Sequence, residues 1–130
     1  MSPAMYRWLA ASAVSRECAG KQVPTECSPV RFLVKVRMPV EKFNASVLDG
    51  SVNQKMKTAL DAMKPEAAYF FEEDGRRTGM IVVNFDKASQ IPSLAEPWFL
   101  YFDAEVHIRP CMTPEDLAAG GLDQIGKMYR

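Results

Sequence analysis

The run "AEVHIRPCMTPEDL", residues 104–117, contains the single histidine of a 130-residue chain. An imidazole titrates near neutral pH and is the side chain most readily used to take up and release a proton there. His107 alternates with Glu105 and Arg109, so all three leave one face of a β-strand. A second alternating run, "RFLVKVRMP", puts Lys35 and Arg37 on one face together with Leu33. If these strands are neighbours, the cations favour the neutral imidazole, a state able to accept a proton. On this reading His107 is the catalytic base, and Lys35, Arg37 and Arg109 steady the charge of a carboxylate or phosphate. Glu105 then orients the ring or carries substrate charge, and Tyr69 and Asn84 add hydrogen-bonding capacity. The competing reading is structural: strands often carry mixed charges on one face for pairing alone, with Glu105 and its dimer mate neutralising the cations.

Other chemistries find less support. Cys111 shares the His107 face four residues on, too far along the strand for a Cys/His nucleophile pair. Three cysteines (Cys18, Cys27 and Cys111) and one histidine do not make a zinc site, so no metal is expected. Phosphate-loop and nucleophile-elbow patterns are missing, and no cofactor is expected. The aromatic cluster of Trp98, Phe99 and Phe102 reads as core or interface anchors rather than a cofactor box. Sixteen basic residues balance sixteen acidic ones, which removes the electrostatic case for nucleic acid or an anionic membrane. No apolar run reaches the length of a bilayer. Reduced thiols in a cytoplasmic protein are the expectation.

The elements that must position these residues begin near Val30. Residues 1–29 form a leader, either flexible or a helix opening at Ser2-Pro3 and docked on the domain; alternatively the natural start lies near Val30. Residues 30–130 are expected to form one domain. After the first strand comes a helical stretch broken at "LDG", then a helix opened by a Ser51/Gln54 capping box and closed by Pro65. In "AAYFFEEDGRRTGMIVVNF", Asp74-Gly75 is a two-residue hairpin turn. That turn sets Glu73 against Arg76, Glu72 against Arg77 and Phe70 against Gly79. Ser89 should cap a short, irregular helix interrupted by Pro92 and Pro97. The histidine strand follows. Thr113 and Pro114 then open a closing helix to about Tyr129, weakened by Gly120, Gly121 and Gly126.

The order β-α-β-β-α-β plus a final helix predicts an α+β, ferredoxin-like fold with a four-stranded antiparallel sheet. Alternation divides that sheet into two faces. Phe32, Val34, Val36, Ala68, Phe70, Ile81, Val83, Phe85, Val106 and Ile108 belong under the helices. The second face carries Leu33, Ala67, Phe71, Thr78, Met80 and Val82 among the polar residues named above. Tyr69, Phe71, Met80 and Val82 are too apolar to be left in water, so a homodimer closed through this face is expected.

The stretches "LVKVRMPVE", "MKPEAAYFFEEDGRRTG", "DKASQIPSLAEPWF" and "MTPEDL" resemble an uncharacterised family of short bacterial ferredoxin-like proteins. The layout is similar to the dimeric α/β-barrel superfamily, which includes muconolactone isomerase-like and antibiotic-biosynthesis monooxygenase-like proteins. The resemblance covers residues 31–129 and carries over no catalytic residue. It implies a dimeric α/β barrel and, if there is turnover, a cofactor-independent isomerase or monooxygenase. The function expected is a homodimeric domain binding a small organic acid. The alternative is a non-enzymatic structural or regulatory dimerisation module.

Overall fold

The computed structural model describes residues 29–130, and the expectations for a leader or docked helix over 1–28 lie outside the described residues. The element order is β1 (Val30–Met38), α1 (Val40–Asp49), α2 (Val52–Met63), β2 (Ala67–Glu73), β3 (Arg76–Phe85), α3 (Ile91–Phe102), β4 (Glu105–Pro110), α4 (Pro114–Ala119) and α5 (Leu122–Met128). The four strands form one antiparallel sheet in the order β2-β3-β1-β4. This is the α+β, ferredoxin-like arrangement, with β1 in the interior of the sheet and the histidine strand beside it.

The β2–β3 hairpin has the expected register: Glu73 faces Arg76, Glu72 faces Arg77 and Phe70 faces Gly79. Asp74 and Gly75 both have positive φ, 53° and 75°, as a two-residue type I′ turn requires. The Phe70 ring lies where a side chain on Gly79 would have to go, 2.8 Å from the position a Cβ would take. Only glycine leaves room for an aromatic ring to cover its backbone there.

Helices α2 and α3 cover one face of the sheet. The core beneath them contains Val34, Val36, Met38, Ile81, Val83 and Phe85 from the strands, with Ala59, Met63, Leu94, Trp98 and Phe102 from the helices. The apolar set expected under the helices is there, although Phe70, on the β2 edge, is half exposed. The Trp98 indole N–H donates to the Met63 sulfur at 3.2 Å, joining α3 to α2 inside the core.

Four local expectations need correcting. Ser51 forms no capping box with Gln54; its hydroxyl and its N–H both donate to Asp49, at 2.5 and 2.8 Å. Ser89 caps nothing. The side-chain oxygen of Gln90 instead accepts from the Asp86 and Lys87 N–H groups, each at 3.1 Å. The two prolines do not make α3 short: it runs twelve residues, with Pro92 in the first turn and Pro97 inside. A first-turn proline loses no helical hydrogen bond. An interior one costs about 3 kcal/mol, but burying Leu94, Trp98 and Phe102 returns about 1.5–3 kcal/mol each. Burial wins. The closing helix is split into α4 and α5 at Gly120 and Gly121, the latter with φ 73°. Its opening is as expected, with reciprocal bonds between Thr113 and Asp116 at 3.1 Å.

Candidate functional site

The face of the sheet away from α2 and α3 is open, and cross-strand register arranges its side chains in rows. Phe71, Thr78, Arg37 and Glu105 form one row. Tyr69, Met80, Lys35 and His107 form the next, followed by Ala67, Val82, Leu33 and Arg109. Six of the seven candidate residues, all but Asn84, therefore lie in three adjacent rows. Asn84 stands beyond them, opposite Arg31.

Register does not decide which charges pair. Lys35 Nζ lies 2.6 Å from Glu73 Oε2, and Arg37 reaches Asp74 at 3.0 Å. The Arg37 Nε is buried 3.4 Å from Glu73, an ionic contact without hydrogen-bond alignment. Within one copy Glu105 lies 3.7 Å from Arg76 and makes no ion pair with Lys35 or Arg37. The cause is geometric. Glu73 shares the open face with Ala67, Tyr69 and Phe71 by alternation, and β3 stays paired with β1 as far as Arg77, so the long Lys35 and Arg37 side chains reach the acids at the turn diagonally across the sheet. The turn register sets Glu73 against Arg76; the signal for its second role is the alternation of β2, which puts Glu73 on the same face as Lys35 and Arg37.

A second ionic group holds the opposite end of the face. Arg31 Nε and Asn84 Nδ2 both donate to the same Glu66 oxygen, each at 2.9 Å. Asn84 thus belongs to Arg31 and Glu66 rather than to His107. Burial pushes the Glu66 carboxyl up, but the bonds from Asn84 and Arg31 and the guanidinium charge outweigh it, so Glu66 lies below its ordinary value. A group lowered on folding stabilises the fold above its unfolded pKa, and that contribution is lost as pH falls through the folded value. Urea unfolding of wild type and Glu66→Gln between pH 3 and 7 should show it. Below about pH 4.3 the wild type should lose stability with a steeper slope than the variant; parallel curves would remove Glu66 as the cause.

Two nitrogen-bearing side chains of the face, His107 and Arg109, remain. Among the described residues, neither His107 nor Arg109 has an ion-pair or hydrogen-bond partner, and both are exposed. Among the described residues no hydrogen bond or ion pair orients the imidazole, and Tyr69, 69% exposed, lies at the far end of the same row. A cleft of about 430 Å³ opens beside Arg31, Asn84, Cys111, Met112 and Asp116, and another of about 410 Å³ beside Met38, Phe43, Met56 and Phe70. His107 borders neither. Among the described residues no group of three or more His, Cys, Asp or Glu side chains could hold a metal ion, and no helix is long and apolar enough to cross a membrane. Comparison of the chain with protein-family models, curated proteins and solved structures returns no match.

Proposed function

We propose that the chain is a homodimeric binding domain in which two copies stack their open sheet faces and hold a small organic acid between them. One observation carries the choice of ligand. Lys35, Arg37, Arg31 and Arg76 each have a carboxylate of their own, whereas His107 and Arg109 have none among the described residues. A planar guanidinium beside an imidazole can take a carboxylate in two parallel bonds. Leu33, Met80, Val82 and Tyr69 alongside offer apolar surface to the rest of such a molecule. Lys35 and Arg37, expected to bind the anion, act here as the anchor of the hairpin. Isomerisation or oxidation with His107 as base requires the second copy or the ligand to orient the ring.

A thermal-shift screen with aliphatic and aromatic carboxylic acids tests the proposal. A binding acid at about one hundred times its Kd adds about 2.7 kcal/mol and should raise the melting temperature of wild type by about 10 °C. Arg109→Ala and His107→Ala should abolish the response without lowering the melting temperature of the free protein. A broad panel without response would end the ligand proposal. It would favour the second reading, a dimerisation module, which draws support from the internal neutralisation of Lys35 and Arg37 by Glu73 and Asp74.

A further inference from the structure

The cleft of about 410 Å³ lies on the helix side of the sheet, at the turn end of the β2–β3 hairpin. It is separate from the open face, and what it does is independent of the homodimer proposed above. Its walls are apolar: Met38 of β1, Phe43 of α1, Met56 of α2 and Phe70 of β2 border it. Both rings are held by contacts of their own. Phe43 stacks on Phe102 with centroids 5.1 Å apart, and Phe70 lies against the bare backbone of Gly79. The space between them is therefore not closed by either ring.

A cation stands at the edge of this space. The guanidinium carbon of Arg77 lies 4.5 Å from the centre of the Phe43 ring, and its Nη1 donates to the Asn44 side-chain oxygen at 2.9 Å. Both partners are neutral. Among the described residues Arg77 has no carboxylate within ion-pair distance. Its cross-strand partner Glu72 also borders the cleft, but that carboxylate accepts the Gly75 N–H at 3.1 Å in the turn. Stacked through its flat side and bonded through Nη1, the guanidinium keeps its Nε–Nη2 edge uncommitted. A planar edge of this kind takes a carboxylate in two parallel bonds.

The walls select the rest of the ligand. Thioether sulfurs make favourable contacts with aromatic rings, and phenylalanine rings prefer another ring offset or edge-on. The volume falls toward the small end of the about 300–1,000 Å³ found for ligand pockets, which suits a compact ring system. Charge complementarity with Arg77 fixes the polar end. We propose that this cleft binds a small aromatic carboxylate, its rings among Met38, Met56, Phe43 and Phe70 and its carboxylate on Arg77.

The test uses the full chain labelled at its methionine methyls, each signal assigned by its own Met→Leu variant and followed by NMR during titration with 2-naphthoate. The Met38 and Met56 methyl signals should move together and give one dissociation constant. The neutral isostere 2-naphthamide should bind at least about tenfold more weakly, and Arg77→Gln should weaken 2-naphthoate by a similar factor with an unchanged circular dichroism spectrum. Arg77→Lys, which keeps the charge and loses the planar fork, should fall between. Glu72→Gln removes the carboxylate that repels the ligand and should tighten binding about two- to fivefold. Stationary Met38 and Met56 signals, equal affinities for acid and amide, an unchanged constant in Arg77→Gln or a weaker one in Glu72→Gln would each overturn the site. Movement confined to Met80, on the open face, would overturn it and leave the open-face reading standing.

Discussion

Replacing Trp98 with alanine should lower the melting temperature by on the order of 15 °C or leave no cooperative transition at all. Trp98 has no exposed surface, contacts Phe102 at a ring separation of 6.0 Å and donates its only polar hydrogen to Met63. Removing such a side chain costs about 3–5 kcal/mol. The whole stability of a domain this size is about 5–15 kcal/mol, so the loss is a large part of the total. Calorimetry of Trp98→Ala beside Phe99→Ala checks it. Phe99 is the next residue but 39% exposed, and its loss should cost no more than a few degrees. Equal effects of the two substitutions would mean that α3 does not pack as described.

Val82→Glu should convert the homodimer proposed above to monomers without unfolding the chain. Val82 lies on the open face between Ala67 and Leu33. By two-fold symmetry each substitution acts twice in the dimer. Losing two buried apolar side chains at about 1.5–3 kcal/mol each, at about 1.4 kcal/mol per tenfold change in affinity, predicts at least a 100-fold weaker association before the charge is counted. Sedimentation equilibrium reads it directly. Retained wild-type association would show that the open face is not the interface.

How far the sequence discloses this molecule depends on the range of the interaction that decides each feature. Strand register was legible because Asp74-Gly75 fixes it within two residues and the Glu72–Arg77 and Glu73–Arg76 pairs agree with it. The division of the sheet into two faces followed from strict alternation in β1 and β3. The path of α3 through Pro97 was not legible, because local propensity opposes it and only the burial of Trp98 and Phe102 against distant strands overrides that. The capping of α2 failed for a related reason. A serine followed three residues later by glutamine satisfies the pattern, but Asp49, two residues back, competes for the same donors and wins. The candidate site was half legible. The sequence brought Lys35, Arg37, Glu105, His107 and Arg109 onto two adjacent strands. It did not show that the hairpin's own acids would take Lys35 and Arg37, because those contacts cross the sheet off the strand register, Arg37 and Asp74 standing 37 positions apart in the chain.

The contact between the indole of Trp98 and the sulfur of Met63 also bears on how the interior ages. A thioether is the core's most oxidisable group, and conversion to the sulfoxide would put a strongly polar, chiral centre among aliphatic side chains. Met63 is 3% exposed, whereas Met112 and Met128 are 68% and 75% exposed. Peroxide should therefore oxidise Met112 and Met128 before Met63. Damage at Met63 has to wait for α2 and α3 to part, so its slow accumulation records how often the helices separate.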